Sequence, residues 1–419
     1  MEQERQKALL VGANIDFEKD FDEKMDELER LANACEIDVV SREIQNLFEI
    51  NRALYIGKGK AEEISKIADT LNVDLVIFNN ELSPTQLRNL QDIINCSVLD
   101  KTSLILEIFS KRARTKEAKL QVEVARLEYM LPRLVGMRTN LGRQGAGAGL
   151  SNKGAGEKKL ELDRRRIESK LTELKKELEE LSKDREVQRK KREESDLPLV
   201  SLVGYTNAGK SSLMNYMIDR FVKDDEKRVI EKDMLFATLE TSVRKIELED
   251  NRKFLLSDTV GFISDLPHDL VKAFRSTLEE IKNADLLLEV IDYSDPNFYD
   301  HIQVTKQTLE KLGVIDIPII YVYNKSELML DKLPLIDENE IYLSIKQKRG
   351  MNELIDMIVD RLFKNYKRCN MLIPFSEGSV LSYLMDNANV LNTEYTENGT
   401  LIDIECRLSQ YNKYKEYVK

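Results

Sequence analysis

Residues 204–212 read GYTNAGKSS and follow the apolar run LVSLV, and no other stretch limits the architecture of this chain as tightly. Gly204, Gly209, Lys210 and Ser211 satisfy the pattern GxxxxGK[ST], which belongs to a turn between a strand and a helix. The glycines let the loop that holds Tyr205, Thr206, Asn207 and Ala208 curl its backbone amides around phosphate, and the following helix adds its positive end. Lys210 brings a cation; Ser211, with Ser212 beside it, brings a hydroxyl for Mg²⁺. Such a unit fits a doubly wound α/β sheet, and the strands LVSLVG, FLLSD, LLLEVID and PIIYVYN alternate with helical segments between 197 and 366. A domain that binds a nucleoside triphosphate is expected there.

Companion motifs lie in the same span. Asp258 ends the strand before DTVGF, placed to hold Mg²⁺ through water, while the Gly261 amide, two residues beyond Thr259 and next to Val260, meets the γ-phosphate. Many nucleotide hydrolases follow this glycine with a glutamine that holds the attacking water. Phe262 stands there instead, so the free protein is expected to hydrolyse slowly, with Lys210 and Gly261 as its transition-state contacts. His268 in LPHDLV is an internal candidate for catalysis, weighed against a plain helix-start role. In NKSE, residues 324–327, Asn324 and the stem of Lys325 frame a base, and beyond Ser326 the Glu327 carboxylate accepts from the N1 and N2 edge of guanine. Adenine would leave that carboxylate unmatched. Glu327 is one methylene longer than the usual aspartate. Ser344, Ile345 and Lys346 are expected to bring a backbone amide to guanine O6, with isoleucine where alanine is usual. Within FATLETS, Thr238, Thr241 and Ser242 are all candidates for a second hydroxyl on Mg²⁺, and spacing does not choose among them.

At 419 residues the chain has room for two or three compact units. No apolar run approaches the ~20 residues of a membrane span, and MEQERQKALLVGAN lacks a secretory apolar stretch, so a cytoplasmic protein without integral membrane association is expected, peripheral association left open. Cys35, Cys96, Cys369 and Cys406 form no CxxC pair and read as reduced and structural. With only His268 and His301, imidazole chemistry has little scope.

Residues 6–100 alternate strand-like and helix-like segments, which predicts an N-terminal α/β domain over 1–111 with a parallel or mixed sheet. From 112 to 134, Leu120, Val124, Leu127, Leu131 and Leu134 step by four and three; from 157 to 192, Leu160, Ile167, Leu174 and Leu181 recur every seven. Paired seams predict an antiparallel helical hairpin over 112–194, with Pro132 ending or kinking its first helix and GRQGAGAGLSNKGAG, 142–156, as a flexible tip. Residues 197–366 form the nucleotide domain, and 370–419 predict a small α/β module. Charge is uneven: residues 101–166 hold sixteen Lys/Arg against seven Asp/Glu in a chain of net charge −11. In that island Arg133, Arg138, Arg143, Lys153, Arg164, Arg165 and Arg166 are candidates to neutralise RNA phosphates.

With the motifs assembled, the chain resembles the HflX family of translation-associated GTPases from residue 8 onward. The likeness rests on ELSPTQLRNL at 81, VLDKTSLILEIFSKRARTKEAKLQVEVARLEYMLPRL at 98, GEKKLELDRRRI at 156, FATLE at 236 and DTVGFISDLPHDLVKAFRSTLEEI at 258. It departs from the usual pattern at Lys101, in the GAGAG run, at Ala155 and at Lys158 and Lys159. The resemblance implies a GTPase bound to GTP or GDP with Mg²⁺, in which Thr238 is the switch-one magnesium ligand and Phe236, Ala237, Leu239 and Glu240 surround it. It also implies docking on the large ribosomal subunit, with the hairpin tip near ribosomal RNA, the separation of stalled ribosomes, and hydrolysis stimulated by ribosomes; a monomer is expected. Competing readings are a nucleotide-gated assembly factor or scaffold and an ATP-driven RNA remodeller acting through the N-terminal domain. There GKGK at 57–60 is either a second phosphate cradle or a tight strand-to-helix turn.

Overall fold

The computed structural model describes residues 5–18, 21–136, 151–194, 197–222, 236, 242–264, 279–364 and 366–419, excepting the side chains of 134–136, 151–160 and 184–194. Two compact units emerge: residues 1–188 with two short later pieces, one containing Phe236, and the remainder of the chain.

In the first unit, β1 (Lys7–Ile15), β2 (Asp38–Leu47), β3 (Leu75–Phe78) and β4 (Ser97–Asp100) form a parallel sheet in the order β2-β1-β3-β4. β1 is apolar almost throughout because its central place buries both faces, whereas β2, at the edge, buries no residue. Helices α1 (Phe21–Ala34), α2 (Lys58–Leu71), α3 (Pro84–Ile93) and α4 (Lys101–Arg112) connect and cover the strands. The motif SPTQ starts α3 by a capping box between Ser83 and Gln86, with Pro84 in the first turn. Asp100, fully buried, caps α4 and accepts from the Leu82 and Ser103 amides and the Tyr129 hydroxyl. Lys101, a departure from the family pattern, is buried against Glu27 at 2.7 Å, so its charge is neutralised within the domain.

Two long helices follow: α5 (Lys116–Gly136) and α6 (Ser151–Glu194). Val124, Leu171 and Leu174 form the centre of a shared apolar seam, joined by Leu120, Leu127, Leu131, Ile167 and Leu178. Two boundaries differ from expectation. Pro132 does not end α5, which runs on to Gly136; the Arg133 guanidinium lies over the Tyr129 ring at 3.3 Å and donates to the Tyr129 and Leu82 carbonyls, ties that hold the last turn. α6 begins at Ser151, so 151–156, expected in the glycine-rich tip, are helical. Extending an established helix adds a hydrogen bond per residue and outweighs the ~1 kcal/mol cost of each glycine.

The second unit is built on seven strands: β5 (Leu199–Val203), β6 (Ser242–Glu247), β7 (Lys253–Asp258), β8 (Leu286–Asp292), β9 (Ile319–Asn324), β10 (Leu335–Asp337) and β11 (Glu340–Tyr342). Their order is β10-β11-β9-β8-β5-β7-β6, parallel except at the two edge strands. Helices α7 (Lys210–Phe221), α8 (Phe298–Leu312) and α9 (Met351–Leu362) pack on it, and Val200, Leu202, Leu288, Val290, Ile320 and Val322 anchor the core. Beyond it, β12 (Lys367–Ile373), α10 (Gly378–Asn387), β13 (Asn389–Thr396), β14 (Gly399–Cys406) and α11 (Leu408–Lys413) make a small antiparallel module ordered β12-β14-β13. The chain β5 sits where neighbours lead away on both sides, to β7 and to β8, and such a switch point opens a crevice at the carboxyl ends of the strands.

Candidate nucleotide-binding site

The loop from β5 to α7 lies at that crevice. Gly204 (φ 133°) and Gly209 (φ 108°) hold a left-handed backbone, and a Cβ on either would collide, with the Val290 carbonyl oxygen and the Asn324 amide nitrogen respectively. The pattern glycines are therefore demanded by geometry as well as by sequence. Lys210 begins α7 and is buried, its Nζ donating to the Gly204 carbonyl at 2.9 Å and the Tyr205 carbonyl at 2.7 Å. Burial pushes its pKa down to about 8, opposed by the Asp258 carboxylate. A bound triphosphate would restore the full charge. Ser211 donates to Asp258 Oδ2 at 3.1 Å, so the two expected magnesium residues meet. A hydroxyl and a carboxylate are hard oxygen donors of the kind Mg²⁺ takes with phosphate oxygens.

The segment after β7 is laid along the loop. Thr259 donates to the Leu202 carbonyl at 2.6 Å, the Thr206 amide to the Phe262 carbonyl at 2.8 Å, and the Phe262 amide to the Gly204 carbonyl at 3.2 Å. Val260 is buried beside them, and a Cβ on Gly261 would lie 2.7 Å from Thr206 Cα and 3.1 Å from Lys210 Nζ. Phe262 itself is 2% exposed, so its ring is committed to the interior and does not orient a water.

Asn324 is the hinge of the base side. Its Nδ2 donates to the Ala208 carbonyl at 3.0 Å and its Oδ1 accepts from the Ile345 amide at 3.1 Å, tying phosphate loop and base loop together. Lys325 (φ 60°) pairs with Asp292 Oδ2 at 2.6 Å. Ser326 is buried and donates to the Tyr323 carbonyl at 2.8 Å. Glu327 Oε2 is buried and has no hydrogen-bond partner among the described residues, as suits an acceptor for a base edge. Ser344 is buried and accepts from the Gln347 amide, Ile345 is 7% exposed, and Lys346 is exposed.

Other expected residues fare differently. Phe236 is buried with its ring edge-on to Phe109 of α4, centroids 4.8 Å apart, so its side chain is committed to the first unit. Arg133 is held by Tyr129, Leu82 and Asp100 and is 11% exposed, so it is removed from the basic tip. Arg164, Arg165 and Arg166 are exposed and pair along α6 with Glu168, Glu161 and Asp163. Ala237, Thr238, Leu239, Glu240, Thr241, His268, Arg138 and Arg143 lie outside the described residues, as does the Lys153 side chain. In GKGK, Gly57 is the N-cap of α2 and, lacking a side chain, makes no side-chain cap bond; its amide donates to Gln45 at 2.9 Å, and Lys60 pairs with Glu43 at 2.6 Å, the geometry of a strand-to-helix turn. Sequence reasoning missed Asp292 and a contact set of Tyr205, Ser264 and His301. The Asp292 signal was an aspartate closing the strand beside β9; the others become neighbours only in the fold.

Three family models match consecutive stretches: GTP-binding GTPase N-terminal over 22–110, GTP-binding GTPase middle region over 112–192, and 50S ribosome-binding GTPase over 199–325. GTPase HflX of Caldanaerobacter subterraneus is 42% identical over 411 residues, 97% of this chain and 93% of that one. GTPase HflX of Escherichia coli K12 is 36% identical over 409 residues, 96% and 93% of the two chains. Among solved structures, a GTP-binding protein from Sulfolobus solfataricus in complex with GDP aligns at 25% identity over 85% of this chain and 98% of that one, with a TM-score of 0.43. With relatives of such identity matched along nearly its whole length, the chain belongs to the HflX family of GTPases.

Proposed function

We propose that this GTPase is a nucleotide-loaded switch that engages the large ribosomal subunit through its helical hairpin and separates or rescues stalled ribosomes. One observation carries the reading: the nucleotide domain matches a family described as 50S ribosome-binding, in a chain whose preceding residues form two long helices that both begin within a basic island. Ser211, Asp258 and Thr238 would hold the Mg²⁺ that neutralises the phosphate charge; GTP secures the residues around Thr238 and Gly261, that form binds the subunit, and hydrolysis releases it. Arg138, Arg143, Lys153 and Arg164 to Arg166 neutralise ribosomal RNA phosphates. The protein acts in the cytoplasm as a monomer.

GTP turnover with and without purified large subunits tests this, comparing the wild type with a variant lacking 142–150. Subunits are expected to accelerate the wild type by on the order of tenfold or more and the shortened protein far less. Equal acceleration of both would remove the tip from the coupling.

A further inference from the structure

The residue that elsewhere orients the attacking water is here a buried phenylalanine, so the placing of the Gly261 amide, the contact expected on the γ-phosphate, bears more of the hydrolysis. The means of placing it lie just beyond. The Thr206 amide to Phe262 carbonyl and Phe262 amide to Gly204 carbonyl bonds zip residue 262 to the phosphate loop. Two residues on, the Ser264 amide donates to the Tyr205 hydroxyl at 2.9 Å, and the Ser264 and Tyr205 hydroxyls lie 2.8 Å apart. The Tyr205 ring is 6% exposed and stacks on His301 of α8, centroids 3.8 Å apart and planes 12° from parallel. A hydroxyl on a ring so held is a fixed point, and it belongs to the phosphate loop itself. Gly261 is thus tethered on its C-terminal side, with Asp258 anchored in β7 on the other.

We propose that the clasp between Tyr205 and Ser264 holds Gly261 against the phosphate loop for hydrolysis, making both residues positioning residues rather than catalytic ones. The inference rests on the GTPase assignment and adds to it. The clasp sets the Gly261 amide toward the γ-phosphate and leaves the attacking water to other groups, so its loss loosens that amide without emptying the phosphate cradle.

Tyr205→Phe keeps the ring and its stack while removing the hydroxyl. Single-turnover GTP hydrolysis should fall by about tenfold, the scale of one well-aligned hydrogen bond, with the dissociation constant for a non-hydrolysable GTP analogue within about twofold of wild type and a melting temperature lowered by no more than a few degrees, about the loss of one hydrogen bond. Ser264→Ala, which spares the Ser264 amide, should fall less, and the double variant no further than Tyr205→Phe alone. Turnover that is unchanged or raised in Tyr205→Phe, losses that add in the double variant, or nucleotide affinity that falls in step with turnover would each overturn the clasp. A wild type that turns over no GTP overturns the enzyme assignment and the clasp together; a wild type and a Tyr205→Phe that hydrolyse equally overturn the clasp alone.

Discussion

The proposed base specificity of this chain rests on Glu327, one of whose carboxylate oxygens is buried with no hydrogen-bond partner among the described residues. If its carboxylate accepts from guanine N1 and N2, ITP, which lacks the exocyclic amine, should bind the wild type about tenfold more weakly than GTP, and Glu327→Ala should bind the two alike and weakly. Equal binding of ITP and GTP by the wild type would place the carboxylate elsewhere. A second buried carboxyl has no part in the site. Glu289 on β8 is 2% exposed, and burial pushes its pKa up to about 8. In the unfolded chain it titrates near ~4.3, so folding retains a proton between those values; the stability it lends is full below ~4.3 and is lost as pH rises through 8, by up to ~1.4 kcal/mol per pH unit. Glu289→Gln removes that slope. Urea midpoints of wild type and variant should diverge between about pH 5.5 and about pH 8.5, the wild type losing more, whereas parallel curves would contradict the burial argument. Residues consecutive in the chain were legible from sequence, as in the loop of Gly204 to Ser211, because the motif fixes their geometry. The clasp and Asp292 were not. Tyr205 meets Ser264 across 59 positions and Lys325 meets Asp292 across 33, pairings that depend on strand register and loop path.

Among elements, the two long helices show what periodicity conveys and what it omits. The seam of α5 and α6 was legible because apolar spacing by three and four maps directly onto one helix face. Their ends were not: Pro132 and the glycines at 154 and 156 are breakers by intrinsic preference, overridden by the anchored Arg133 side chain and by propagation from the rest of α6. Leu174, 5% exposed in that seam, provides the test. Leu174→Ala should cost about 2–4 kcal/mol and raise amide exchange along both helices while leaving nucleotide affinity unchanged. Exchange confined to α6 would mean that the seam does not join them. Arg133→Ala should act differently from the exposed arginines of α6. It leaves the buried Asp100 with one donor fewer and should destabilise the N-terminal domain by about 3 kcal/mol, whereas the pairs of Arg164 to Arg166 are exposed and screened, so their loss should leave stability nearly unchanged.

For the whole molecule, alternating strands and helices announced two α/β sheets, and strand order was the part left to the structure, since long-range pairing leaves no local mark. Its consequence is functional: the order β8-β5-β7 creates the crevice in which Lys210, Asp258 and Asn324 converge. The chain is acidic overall, so the proposed RNA contact depends on its basic island, and its affinity should weaken as salt rises. The most direct measurement is sedimentation of the purified protein with large ribosomal subunits, empty, with GDP and with a non-hydrolysable GTP analogue, at low and moderate salt. The predicted result is co-sedimentation with the analogue alone, weaker at the higher salt and abolished by Lys210→Ala. Association of equal extent in all three nucleotide states would contradict a nucleotide-governed switch.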